Sequence, residues 1–441
     1  MSPNHVPRLY SVVTGADGRL HWTPLRAVGR SRGELWELTP ENAIPLPAGS
    51  TLLSLPGRQP LGLDRRGRVA VAEGTAVSAI LPTGFLRTLL PAYEQGRRAA
   101  ALPLYGYTAV AASEPPGPGQ EPQLWAAAMP VEEPGLWDPK HFNGPDLPRV
   151  VSQRLEESPG NRLVKHLSRC ALEYGCFTAQ NLFYRRWEAG IPISAACNAR
   201  CRGCLSAQPD GVFPAAQDRL AFRPTLDEVV EVGLAHLQAA PKAMVSFGQG
   251  CEGEPSMQAE LAEAAIRQWR RATRRGLINM NTNGSRPEAI RRLAAAGLGS
   301  VRVSLFSARP AVFSAYYRPH GYTLDSVLQS LRAAKSEGAR TSLNLLVYPG
   351  LTDTPEELAA LQDFLEAAPV DLIQLRPLNM DPALLEEILL GGGSTGEAPG
   401  SAADRGQERP GFGAPMGLPE WWRRLRQAFP QVGWGSFTPP E

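Results

Sequence analysis

The sequence predicts an α/β protein: a parallel sheet of strand–helix units, preceded by a small mostly-β domain. Two observations carry this. From Ile191 onward, short apolar runs suited to buried strands alternate with segments whose apolar residues recur at helical spacing. Over residues 1–111 the apolar runs are short and broken by turn signals such as Pro56-Gly57 and Asp64-Arg-Arg-Gly67. Six strand–helix units imply right-handed crossovers, with functional residues gathered at the carboxyl ends of the strands.

The strands are expected at 191–195, 243–248, 277–282, 300–307, 341–348 and 371–378. Helix starts stand between them. Thr225-Leu-Asp-Glu228 and Thr354-Pro-Glu-Glu357 are capping boxes, Ser285 and Glu288 repeat the spacing, and Asp381-Pro382 opens the last helix. Gly297 and Gly338 fall where helix ends need a left-handed residue. The remaining chain divides as follows. Residues 112–149 (SEPPGPGQEP, PVEEPGLWDP) form a Pro/Gly-rich linker and 150–190 a helical lead-in to the unit at 191–390. Residues 391–416 form a flexible linker, and 417–441 a short amphipathic helix and tail.

A chain of 441 residues with 43% hydrophobic and 20% charged residues can bury a core and reads as soluble and globular. A net charge of +2 gives no overall field for nucleic acid or membrane. The N-terminus has no basic segment followed by an apolar run, so a cytoplasmic protein is expected. In such a chain, six cysteines point to metal binding or catalysis rather than to disulfides.

Three of them, Cys197, Cys201 and Cys204, lie within eight residues directly after the first expected strand. Thiolates in one tight loop are the usual ligands of an iron–sulfur cluster, and three of them leave one iron of a four-iron cluster open. A zinc half-site or a redox pair is the alternative, although no fourth zinc ligand stands at a usual spacing nearby.

The C-x3-C-x2-C pattern, with weaker motifs on later strands, resembles the radical S-adenosylmethionine superfamily, closest to its molybdopterin-biosynthesis and peptide-modifying branch. The resemblance covers roughly 183–390. It implies a partial (β/α)6 barrel, TIM-barrel-like, whose cysteines hold a 4Fe–4S cluster. S-adenosylmethionine chelates the open iron and is cleaved to a 5′-deoxyadenosyl radical that abstracts a substrate hydrogen. An electron donor such as flavodoxin or ferredoxin is implied as partner. Residue by residue, Gly253-Glu254-Pro255 matches the segment at the methionyl amino group. Asn281 and Asn283 match the Thr-Asn-Gly strand end, Ser304 a ribose-side position, Asn344 the adenine side, and Arg376 a carboxylate partner. Three positions depart from the pattern: Glu252 replaces a glycine, Gly203 an aromatic residue, and Phe306 an aspartate. After Cys251 there is no cysteine, so a cysteine-rich C-terminal extension is missing.

Cys170, Cys176 and Cys251 read as small buried hydrophobes, or as three ligands of a second cluster. Cys251, beside the Gly-Glu-Pro segment, is also a candidate hydrogen donor to substrate. Tyr316-Tyr-Arg-Pro-His-Gly321 is either a packed loop or a substrate contact. The arginines at 267, 270, 271, 274 and 275, with Trp422, Arg423, Arg424 and Arg426, raise RNA binding as an alternative to solvated helix faces. The expected function is therefore radical chemistry on a small molecule, peptide or protein. An RNA-modifying radical enzyme and a zinc-stabilised binding module are the alternatives. The N-terminal domain suits substrate or partner recognition.

Overall fold

The computed structural model describes residues 7–114, 121–208, 211–390 and 411–438. The chain forms two compact units. One is Met1–Pro134 with Val347–Ala359 and Arg376–Ala428; the other is Gly135–Leu346 with Ala360–Leu375 and Phe429–Glu441.

The first unit is built on antiparallel strands. Leu9–Thr14 pairs with Leu20–Ser31, Thr75–Ile80 and Thr108–Ser113. Thr108–Ser113 is buried at every position, and its alanines and Val110 meet Val12, Val77 and Leu9 in the core. The segment 112–149 contributes more than a connection: Leu124–Ala126 pairs with Thr108–Ser113, and Ala128–Pro130 pairs with Phe85–Arg87. Three-residue strands flanked by prolines are too short to show a period of two, so composition alone reads as linker. Arg58 and Asp381 form a buried ion pair at 3.1 Å, and Asp381 also accepts the Leu102 N–H at 2.7 Å. Paired and hydrogen-bonded in this way, neither charge is stranded in the core.

The second unit opens with three helices: α1 Leu147–Glu157, α2 Arg162–Leu172 and α3 Phe177–Tyr184. A parallel sheet follows, with its strands in chain order: Glu188–Gly190, Met244–Phe247, Leu277–Thr282, Ser300–Leu305, Arg340–Val347, Leu372–Pro377 and Gly433–Gly435. With helices between them this is the expected α/β, TIM-barrel-like core. The helix starts agree at Thr225, where both bonds of the capping box with Glu228 form, and Gly297 ends its helix at φ +115°.

The sheet differs from expectation in two places. Its first strand is Glu188–Gly190, earlier and shorter than 191–195. Ile191 still donates to Ser246 O, but the N–H groups of Ile193 and Ser194 turn to the Glu252 carboxylate, which ends the ladder. The sheet also has a seventh strand, Gly433–Gly435, parallel to Leu372–Pro377. Two glycines in three residues hide it from any β-propensity reading. Of the expected linker at 391–416, residues 391–410 lie outside the described residues, and 411–417 take up neither helix nor strand. The last helix is Leu418–Ala428. Among the described residues, no helix is long and apolar enough to cross a membrane.

Candidate cluster and cofactor site

Cys197, Cys201 and Cys204 are unpaired and half-buried, on a loop without regular structure. Backbone bonds hold the loop from two sides. On one side Gly253 N–H donates to Ser194 O at 2.7 Å and Glu254 N–H to Ala196 O at 2.8 Å. On the other, Arg200 and Arg202 donate to the carbonyls of Tyr317 and Tyr316, and His320 donates to Asn198 O at 2.8 Å. The Tyr316–Gly321 stretch therefore packs as a cradle for the cysteine loop.

The segment 248–254 explains itself through two glycines and two buried carboxylates. A Cβ on Gly253 would lie 2.1 Å from Ala196 O, so only glycine lets this strand end approach the cysteine loop. Gly248 has φ +79°, and a Cβ there would sit 1.8 Å from Asn281 O. Glu252, buried in place of the expected glycine, is a knot. Its Oε2 accepts the N–H groups of Ile193 and Ser194, at 2.8 and 3.0 Å. Its Oε1 accepts those of Gly248 and Gln249, at 2.5 and 3.1 Å. Burial pushes its carboxyl up to about 7, against the pull of these four donors. Glu254 is equally committed: Thr282 Oγ1 and Ser256 N–H donate to its Oε1, and Asn283 N–H to its Oε2 at 2.7 Å. It clasps the end of the third barrel strand, and burial raises its pKa. Pro255 is buried and opens the 3-10 turn that follows, Pro255–Gln258.

The other expected residues distribute themselves along the strand ends. Asn283 donates through Nδ2 to Asn198 Oδ1 at 2.8 Å, so it reaches into the cysteine loop between the first two sulfurs. Asn281 bonds the Phe247 carbonyl at 3.2 Å and bridges two strands. Ser304 and Asn344 face each other in the ladder. The Asn344 Oδ1 is buried without a hydrogen-bond partner in the protein. Arg376 is half-buried on Leu372–Pro377 and falls in the other compact unit.

Deeper along the strands the interior is polar. Ser246 Oγ donates to Glu188 at 2.6 Å and accepts from Asn279 at 3.1 Å. Arg302 pairs with Glu188 at 3.3 Å and donates to Thr438, which also takes a bond from Gln374. Sequence reasoning passed over Glu188 and Arg302, although an arginine between two valines in an apolar run is the signal that could have marked them. It also passed over Arg219, whose guanidinium donates to Cys204 Sγ at 3.3 Å and Ser206 Oγ at 3.1 Å.

Phe306, in place of the expected aspartate, joins an aromatic cluster. Phe306 packs on Tyr316 at 5.1 Å, Tyr316 on Tyr317 at 4.9 Å, and Tyr317 on Phe313. These buried rings wall the cysteine loop; burial and the neighbouring Cys201 raise the phenols of Tyr316, Tyr317 and Tyr322. Burial likewise pushes up the thiols of Cys197 and Cys201.

The donor set fits a cluster better than a single ion. Cys197, Cys201 and Cys204 stand on one loop, and a tetrahedral zinc would need a fourth ligand beside them. Three soft thiol ligands beside an aromatic wall suit an iron–sulfur core with one open position. The unsatisfied Asn344 Oδ1 is an acceptor awaiting a donor, as a nucleotide amino group would supply. The arginine runs are mostly spent locally. Arg267 pairs with Glu263, Arg270 caps Gly276 and Gly297 carbonyls, Arg275 donates to Gln238 O, and Arg423 and Arg424 both pair with Glu420.

Residues 191–364 match the model of the Radical SAM superfamily. Among solved structures, the chain is similar to a radical SAM methyltransferase from Sphaerobacter thermophilus, with 16% identity over 56% of this chain and 64% of that one, at a TM-score of 0.36. It is also similar to the radical S-adenosylmethionine methyltransferase TsrM from Kitasatospora setae with cobalamin and a 4Fe–4S cluster bound: 21% identity, 44% and 37% of the two chains, TM-score 0.32. A spore photoproduct lyase variant with bound AdoMet gives 15% identity, 66% and 97%, TM-score 0.37. The chain thus spans less than two thirds of the length of either methyltransferase. The match to the Radical SAM superfamily model spans residues 191–364, which are similar to the enzyme domains that work with a 4Fe–4S cluster and S-adenosylmethionine.

Proposed function

We propose that this chain cleaves S-adenosylmethionine reductively and directs the resulting hydrogen abstraction at a small molecule, peptide or protein. The observation that carries the reading is the cysteine loop: three unpaired thiols clamped between the Gly253–Glu254 strand end and the Tyr316–His320 cradle. Cys197, Cys201 and Cys204 would hold the cluster, which supplies the electron for sulfonium cleavage when bound.

The chain's own residues orient and enclose. Asn283 fixes Asn198, and with it the first half of the loop. Arg219 places a cation against Cys204, compensating part of the negative charge that three thiolates bring. Gly253 and Glu254 set the distance between the second strand and the loop. Ser304 and Asn344 are proposed to meet the nucleoside, and Asn281 to line its path. The aromatic wall keeps water from one flank, as radical chemistry requires. Of the eight arginines on which the RNA alternative rested, Arg267, Arg270, Arg275, Arg423 and Arg424 are engaged locally.

The test is anaerobic reconstitution followed by assay of 5′-deoxyadenosine under reducing conditions. Formation of 5′-deoxyadenosine is expected. A fully reconstituted, reduced protein that never produces it would remove the proposal.

A further inference from the structure

We propose that His166, Cys170 and Cys251 form a mononuclear zinc site, separate from the Cys197 loop. His166 and Cys170 stand four residues apart on α2 and so share one helix face. Cys251 comes from the loop between the second barrel strand and the 3-10 turn at Pro255. The three ligand atoms lie within 4.8 Å of one another. The His166 Nε2 to Cys170 Sγ distance is 3.6 Å. A tetrahedral ion with Zn–S of about 2.3 Å and Zn–N of about 2.05 Å has an N···S edge of about 3.6 Å. The pair already stands at the spacing the ion imposes.

The surroundings suit a largely buried ion held by three protein ligands. Cys170 and Cys251 are buried and His166 half-buried, its ring edge-on to Phe222. Backbone bonds fix both thiol-bearing residues: Cys176 N–H donates to Cys170 O at 2.9 Å, and Leu220 N–H to Cys251 O at 2.7 Å. The Cys176 thiol rests on Thr178 Oγ1 at 3.3 Å, outside the group, so a fourth ligand would be water. Two soft thiolates and one imidazole prefer zinc over hard cations.

Such an ion would tie the lead-in helix to the loop that grips the cluster cysteines. Cys251 precedes Glu252, the knot of four N–H bonds, and Leu220 follows Arg219, which touches Cys204. The ion would therefore act as a positioning element for the Cys197 loop.

The experiment removes the first site so that the second is read alone. The full chain carrying Cys197→Ser, Cys201→Ser and Cys204→Ser is purified anaerobically and its metal content measured. Stoichiometric zinc is expected, exchangeable for Co2+ with a thiolate-to-cobalt charge-transfer band. Adding Cys170→Ser or Cys251→Ser should abolish both signals, and His166→Ala should weaken Co2+ binding while circular dichroism stays unchanged. Cobalt titration of the triple variant needs none of these further changes, so a misfolded variant does not shield the proposal. Absence of zinc and of a cobalt band, iron with labile sulfide instead, or a disulfide joining Cys170 to Cys251 would each overturn it. None of these outcomes depends on whether S-adenosylmethionine is cleaved.

Discussion

Gly253→Ala adds one methyl group and tests the clamp on the cysteine loop. The new Cβ would stand 2.1 Å from Ala196 O, 2.5 Å from Ala196 C and 3.2 Å from Cys197 N. All three are backbone atoms, so no rotamer change relieves the contact. Restoring an ordinary carbon–oxygen separation means opening the two segments by about 1 Å. That would break both the Glu254-to-Ala196 bond of 2.8 Å and the Gly253-to-Ser194 bond of 2.7 Å. Two lost hydrogen bonds at about 1 kcal/mol each and overpacking of about 1–3 kcal/mol give roughly 3–5 kcal/mol. Because the displacement falls one residue before Cys197, it should appear in cluster retention before global unfolding. Gly250→Ala is the matched control: its Cβ would meet the Gln217 amide nitrogen at 2.6 Å and Leu205 Cδ1 at 3.1 Å, the far ends of flexible side chains. Iron and sulfide per chain after anaerobic reconstitution, with denaturant midpoints, decide the matter. Full cluster content and an unshifted midpoint in Gly253→Ala would refute the reasoning.

Three further predictions follow from the same geometry. Asn283→Ala removes the 2.8 Å bond to Asn198 and should cost about 1–2 kcal/mol; a chelator should strip iron faster from the variant than from the parent protein. Cys201→Ala should abolish cluster binding and S-adenosylmethionine cleavage together, with the fold retained by circular dichroism. His236, buried with Nε2 on the Trp187 carbonyl at 2.8 Å, has its pKa pushed down to about 4 by burial. The unfolded state then takes up its proton first as pH falls, so stability is lost from about pH 6.5 down to about pH 4, by roughly 3 kcal/mol; His236→Gln should flatten that part of the pH–stability profile measured by urea unfolding.

The alternation of strand and helix was legible because it rests on periodicity, and Thr225, Gly297 and Gly338 marked helix ends by local chemistry alone. The cysteine loop was legible for the same reason: its ligands are adjacent in sequence. What escaped the sequence was held by contacts distant along the chain. The first strand stops short because Glu252, about 60 residues on, takes the N–H groups of Ile193 and Ser194. The strand Gly433–Gly435 carries no propensity of its own and forms only beside Leu372–Pro377. Arg219 reaches Cys204 across an irregular loop that has no period to read. Tyr316 and Tyr317 hold the cysteine loop through their carbonyls, which any residue could supply, so nothing in their side chains marked this role in the sequence.

The most direct test of the cysteine loop as a cluster site is electron paramagnetic resonance of the reduced, reconstituted protein with and without S-adenosylmethionine. A 4Fe–4S signal that changes on adding S-adenosylmethionine, and is missing in Cys201→Ala, is the predicted result. A colourless protein holding one zinc on Cys197, Cys201 and Cys204, or a cluster signal indifferent to S-adenosylmethionine, would contradict the account.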